Sequence, residues 1–248
     1  MSGHSKWHSI KHKKGAADAK RGKIFTKHAK LITIAARNGA DPELNSALRA
    51  AIDNAKAENV PNDNIDRAIK KGSGTGADAV QMMETSYEAY GPEGVAIYVK
   101  AITDNKNRTL TNVRTIINKN GGNLGESGSV AYMFNHKGHF VIDPAGRDME
   151  EVQLELLDFE LEDMEEVDGK IDVVCDPGKF VDLKNKLEAA GFKLETSELT
   201  FVASNSIPVS DATKAQKILT LIEKIEEDDD VTDVYANFDF SDEVLAQM

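Results

Sequence analysis

The 248-residue chain has one cysteine, Cys175, and one tryptophan, Trp7. A single thiol excludes an internal disulfide framework and a cysteine-based zinc site. No apolar run approaches the roughly 18 residues of a membrane span. The opening Met1-Ser2-Gly3-His4-Ser5-Lys6-Trp7 is polar and basic and lacks the apolar stretch of a secretory signal. Disorder is excluded as well, because 40% of the residues are hydrophobic. These absences predict a soluble, cytoplasmic protein of a reducing compartment, without a membrane partner. The length suits one large domain or two to three small ones.

Charge is abundant but unevenly spread. The formal net charge is −12, yet residues 1–72 carry 15 Lys and Arg against 7 Asp and Glu. Residues 73–142 are balanced at 6 and 6, and residues 143–248 carry 9 against 29. Most of the positive excess lies in the first thirty residues, where nine Lys and Arg face one acid, Asp18. A basic head on an acidic body has different partners from a uniformly acidic protein.

Apolar spacing predicts three helices in the first part. Phe25, Ala29, Ile32 and Ala36 recur at helical intervals within a helix from Ala16 to Asn38, with Lys20, Lys23, Lys27, Lys30 and Arg37 on the opposite side. A second helix is expected to start at Asp41-Pro42-Glu43 and to bury Leu44, Leu48, Ala51, Ile52 and Ala55. A third follows Pro61, carries Ile65, Ala68 and Ile69, and stops at Gly72. Gly72-Ser73-Gly74-Thr75-Gly76 reads as a linker.

Beyond it the period shortens. Val95, Ile97 and Val99 alternate in a strand, a helix runs from about Arg108 to Asn120, and a further strand is expected at 130–134. From His139 the order is strand, helix, strand, strand, helix, strand, with a hairpin at Asp168-Gly169. That βαββαβ order makes a ferredoxin-like plait. A helix from Asp211 to Glu227 and a strand at 231–238 remain, and the strand is expected to rejoin the sheet begun near residue 85. The expected fold class is α+β and multidomain, with a three-helix N-terminal domain and two α/β domains, one inserted in the other. The boundaries are residues 1–76 for the basic head with its N-terminal arm, 77–136 plus 205–248 for a discontinuous α/β domain, and 137–204 for an inserted acidic plait.

The residue types that carry chemistry point to polyanion binding. Lys6, Lys11, Lys13, Lys14, Lys20, Arg21, Lys23, Lys27 and Lys30 are dense enough to displace counterions from a phosphate backbone, and Trp7 can stack on a base. In the simpler alternative the lysines only solubilise the N-terminus and Trp7 packs on the bundle. Asn105, Arg108 and Arg114, at a strand-to-helix junction, are candidates for a second phosphate contact, against ordinary capping by Asn107 or Thr109. His4, His8 and His12 share a helical spacing, but neighbouring lysines would repel a metal cation, so no metal site is expected. The acidic runs 160–168 and 226–230 read as solvated faces, and Cys175 as a small buried hydrophobe. No phosphate-binding loop and no catalytic triad or carboxylate pair stands out, so neither an enzyme nor a cofactor is expected.

Several of these segments together resemble the YebC/PmpR family, whose mitochondrial relatives include a translational activator of cytochrome oxidase. The resemblance rests on 3–7 (GHSKW), 18–27 (DAKRGKIFTK), 67–72 (RAIKKG), 87–94 (YEAYGPEG), 104–109 (DNKNRT) and 121–125 (GGNLG). It spans the chain and implies a helical N-terminal domain with two α/β domains, one interrupted by the other. It implies DNA-binding transcriptional regulation, or ribosome-associated assistance to translation through proline stretches, and no catalysis. Ala89 stands where the family pattern usually has glycine, a difference that matters only if the backbone there takes a positive φ.

Two functions therefore compete: a DNA-binding transcriptional regulator, and a translation factor whose basic head meets ribosomal RNA on the ribosome. A third class, a protein-interaction module with an unassigned basic partner for its acidic domain, predicts that the head is dispensable.

Overall fold

The computed structural model describes the backbone of residues 17–75, 81–167 and 169–245, with side chains except at 17–21, 242 and 245. Mixed α/β structure falls into two compact units. Of the described residues, 17–129 with 216–234 form one and 130–215 with 235–245 form the other.

The first unit begins with α1 (Ala17–Ala35), α2 (Ser46–Ala57) and α3 (Asn62–Gly72). Ile32, Ala36, Leu48, Ile52, Ala55, Val60, Ile65 and Ala68 form their shared core, as the helical spacing requires. α2 starts later than the sequence suggested. The Asp41 carboxylate accepts from the Glu43 N–H in a turn, and Asn45 is the cap, accepting from the Leu48 N–H at 3.1 Å. Its amide also donates to the carbonyls of Ala35 and Gly39, so one side chain closes the α1–α2 corner. Leu44 consequently lies outside the helix and is 88% exposed, contrary to its expected place in the core.

Gly72 decides how closely α3 approaches α1. A Cβ there would stand 2.1 Å from the Thr33 carbonyl oxygen and 2.9 Å from the Ala36 Cβ. Thr33 Oγ1 donates across the same contact to the Ala68 carbonyl at 3.3 Å.

A four-stranded sheet follows, ordered β3-β1-β2-β9, with β1 (Met83–Tyr90), β2 (Ala96–Thr103), β3 (Asn123–Leu124) and β9 (Val231–Ala236). β1 and β2 pair antiparallel from Met83↔Thr103 to Tyr90↔Ala96. Ala89 lies within β1 opposite Ile97, is fully buried, and is not among the positive-φ residues, so its methyl is accommodated. α4 (Lys106–Lys119) buries Val113 and Ile117, and α7 (Ala212–Glu226) buries Ile218, Ile222 and Ile225. The cap of α4 is Asn105, which accepts from the Arg108 N–H, rather than Asn107 or Thr109. β9 does stand beside β2, with the Ile102 N–H donating to the Asp230 carbonyl at 2.8 Å.

In the second unit β4 (Phe134–Asp143), α5 (Met149–Leu156), β5 (Asp163–Val167), β6 (Lys170–Cys175), α6 (Phe180–Ala189) and β7 (Lys193–Ala203) alternate as anticipated. Their sheet order is β5-β6-β4-β7, antiparallel throughout. Phe140, Ile142, Ile171, Val173 and Cys175 share one face with Val152, Leu156, Leu183 and Leu187 from the helices. The strand expected at 130–134 is a single 3-10 turn, Ala131–Met133, because Val130 and Phe134 are buried one turn apart and β4 starts only at Phe134. The expected 231–238 strand is also broken. It ends at Ala236, and β10 (Phe238–Phe240) pairs parallel with β8 (Ile207–Val209), while Asn237, 2% exposed, accepts from the Ile207 N–H at the break. A final helix, α8, spans Asp242–Leu245.

Candidate nucleic-acid interface

The cationic face of α1 does not stand open to solvent along its whole length. Lys23 Nζ donates to the Glu226 carbonyl at 3.0 Å, and Lys27 Nζ pairs with Asp233 at 2.6 Å. Lys30 Nζ donates to the carbonyls of Ile102 and Asp229 and to Asp230 Oδ1, the last at 2.7 Å. Three residues expected on phosphates thus meet the end of α7, the turn after it, β9 and the end of β2 within their own unit. Lys6, Trp7, Lys11, Lys13 and Lys14 lie outside the described residues, as do His4, His8 and His12. Lys20 and Arg21 belong to the first turns of α1, but their side chains are not described.

Asp230 is the hub of this tether and is 7% exposed. Besides Lys30, its carboxylate accepts from Arg108 at 2.7 Å, Thr109 Oγ1 at 2.8 Å and Thr103 Oγ1 at 3.1 Å. Burial alone would raise its pKa. The hydrogen bonds from Arg108, Lys30 and Thr109 outweigh burial and hold the carboxyl well below the ordinary carboxylate range. The sequence places Asp230 at the end of an acidic run, which suggested a solvated face. Instead the strand edge beside Ile102 draws it inside, where it needs cations. Only donors distant in the sequence could have signalled that role: Lys30, 200 residues before it, with Arg108 and Thr109, 122 and 121 residues before it.

Arg108 spans Asp230 and Asp104, so much of its charge is spent within the fold. Asn105 is occupied as a cap, and its own N–H donates to Thr103 Oγ1 at 2.9 Å. Arg114 is exposed on α4 and enters no ion pair among the described residues. His28, behind Lys27 on α1, has its pKa lowered by burial and by Lys27, against opposing pulls from Glu58 and Asp233.

A different cationic set emerges on α3. Arg67, Lys70 and Lys71 have no ion pair among the described residues, and Arg67 and Lys70 are exposed. Arg67 and Lys71 line an open groove of about 350 Å³ between α1 and α3, floored by Phe25, Ala29, Ala68 and Met82. Sequence reasoning passed these three by, although the RAIKKG segment carried them. Among the described residues no group of three His, Cys, Asp or Glu is placed to hold a metal, and no helix is long and apolar enough to cross a membrane.

Comparison with known proteins accounts for the whole chain. Residues 5–75 match the model for the TACO1/YebC protein N-terminal domain, and residues 82–238 that for the TACO1/YebC second and third domain. A "Probable transcriptional regulatory protein" of Geotalea uraniireducens is 49% identical over 249 residues, covering all of both chains. Another so named, from Syntrophus aciditrophicus, is 50% identical over 252 residues, covering 100% of this chain and 99% of its own. The crystal structure of a conserved hypothetical protein, Aq1575, from Aquifex aeolicus superposes with a TM-score of 0.84 at 40% identity, covering 95% of this chain and 97% of that one. With both models matched in order, the chain belongs to the TACO1/YebC family, among relatives named as transcriptional regulators.

Proposed function

We propose that this protein is a non-enzymatic, cytoplasmic regulator of gene expression that binds nucleic acid through its basic N-terminal domain. In this reading residues 1–76 are the head, 77–136 with 205–248 a discontinuous α/β domain, and 137–204 an inserted acidic plait. The observation that carries it is the charge division: nine Lys and Arg against one acid in the first thirty residues of a chain with net charge −12. Lys6, Lys11, Lys13, Lys14, Lys20 and Arg21 are the proposed phosphate contacts and Trp7 a stacking group. Lys23, Lys27 and Lys30 hold the head to the acidic turn.

The names of the relatives support transcriptional regulation, and duplex DNA is the polyanion this reading assigns to the head. The competing assignment, a ribosome-associated factor on ribosomal RNA, draws support from the balance of 9 bases to 29 acids in residues 143–248. Such a body repels lengthwise contact with duplex DNA and suits an RNA pocket entered by one end.

Two measurements test the proposal. If about five phosphates are neutralised, log affinity for duplex DNA falls against log salt with a slope of about −4.5. A slope near zero refutes polyanion binding by the head. Sedimentation of native lysate through sucrose separates the assignments. Co-migration with ribosomal particles, lost on deleting residues 1–30, supports translation, whereas slow sedimentation with retained DNA binding supports transcription.

A further inference from the structure

Arg67, Lys70 and Lys71 lie within five residues of α3 and make no ion pair among the described residues. The helix macrodipole accounts for Lys70 and Lys71, which occupy the last turn. It does not account for Arg67 in the middle of the helix, which has Lys71 one turn after it and Asp63 one turn before it but no ion pair among the described residues. Nor does it explain what lies beneath. Between these cations and α1 the surface opens into a groove of about 350 Å³, within the size range of small-molecule sites. Its floor is apolar and includes a half-buried aromatic ring, Phe25. The neighbouring Lys30 is held by Asp230, whereas Arg67 and Lys71, which also line the groove, have no ion pair among the described residues.

An apolar floor with one ring and two bases at the rim fits an aromatic group attached to a phosphate. Resting on the nucleic-acid reading above, we propose that the α1–α3 groove accepts one unstacked nucleotide of a single-stranded nucleic acid. Its base lies in the groove against Phe25 and its phosphates contact Arg67 and Lys71. Stacking on an aromatic side chain is tolerant of sequence and needs a base withdrawn from its neighbours. A guanidinium supplies two parallel donors to one phosphate. Duplexes keep their bases paired and cannot fill the groove, so the site distinguishes single strands from double strands.

The test is fluorescence anisotropy with the full-length protein, a labelled single-stranded uridine oligonucleotide and a labelled duplex, each titrated over a salt series. Ala29→Leu fills the groove without removing core atoms. It is expected to weaken single-strand binding roughly tenfold while leaving the salt slope and duplex affinity unchanged. Arg67→Gln combined with Lys71→Gln is expected to make the single-strand slope shallower by about 1.4, two phosphate contacts at about 0.7 each. Phe25→Leu gives an independent reading, with the same selective loss expected for the single strand. Wild-type single-strand affinity in Ala29→Leu overturns the site, as does an equal loss for both nucleic acids. If the unmodified protein binds neither with salt dependence, the nucleic-acid reading itself fails. Binding by the unmodified protein that is indifferent to all groove variants overturns the groove alone.

Discussion

Replacing Asp230 by asparagine is the sharpest perturbation of the tether between the helical head and the sheet. The carboxylate accepts four hydrogen bonds, from Lys30, Arg108, Thr109 and Thr103. An amide of the same shape keeps one acceptor oxygen, turns an N–H2 toward donors, and removes the charge that neutralises Lys30, whose side chain is only 14% exposed. Deleting one member of a buried ion pair costs about 3–5 kcal/mol, since the other charge is left uncompensated. Water can solvate Arg108 in the variant, which favours the lower end, so Asp230→Asn is expected to cost about 3 kcal/mol. For a chain of this size that lowers Tm by about 6–12 °C.

Urea unfolding followed by far-UV circular dichroism measures the change, and Lys30→Met completes a double-mutant cycle. With Lys30 removed, Asp230 retains Arg108 and both threonines, so that single variant costs less and the coupling exceeds about 1 kcal/mol. The pH dependence follows from the depressed pKa. Asp230 contributes its full stabilisation above the unfolded-state value of about 3.9, and loses it as pH falls below that toward the folded-state value. The gap between wild type and Asp230→Asn therefore narrows below about pH 4 and is constant above it. A variant within about 0.5 kcal/mol of wild type, with the same acid slope, would refute the hub.

Three further outcomes follow from local geometry. Gly72→Ala places a methyl against the Thr33 carbonyl, forcing α3 from α1, and is expected to destabilise by about 1–3 kcal/mol in urea titration. Asn45→Ala removes a helix cap and two bonds that close the α1–α2 corner, and should cost about 1–2 kcal/mol; a loss of a few tenths would show that water replaces them. Burial, reinforced by Glu162 and Asp176, pushes the Cys175 thiol up to about 11, so its reaction with a disulfide reagent at pH 8 is expected to be slow in the native protein and fast in denaturant. Equal rates in both states would contradict its buried position.

The repeating apolar positions by themselves determined the elements. Ile32, Ala36, Leu48, Ile52 and Ala68 occupy the helical core that their spacing required, and Val95, Ile97 and Val99, which alternate, are buried together. Helical and extended backbones impose these periods locally, so no distant partner is needed to read them. Helix starts were less legible, because Asp41 and Asn45 are both good caps, and the choice fell to Asn45 through its bonds to Ala35 and Gly39. Tertiary structure alone decided the fate of the charges. Lys27 and Lys30 looked like phosphate ligands and Asp230 like a solvated acid. Pairing across about two hundred residues turned them into a structural tether and left Arg67, Lys70 and Lys71 without ion pairs among the described residues. A charge is satisfied by whatever opposite charge the fold brings within a few ångströms, and sequence order carries no record of that distance.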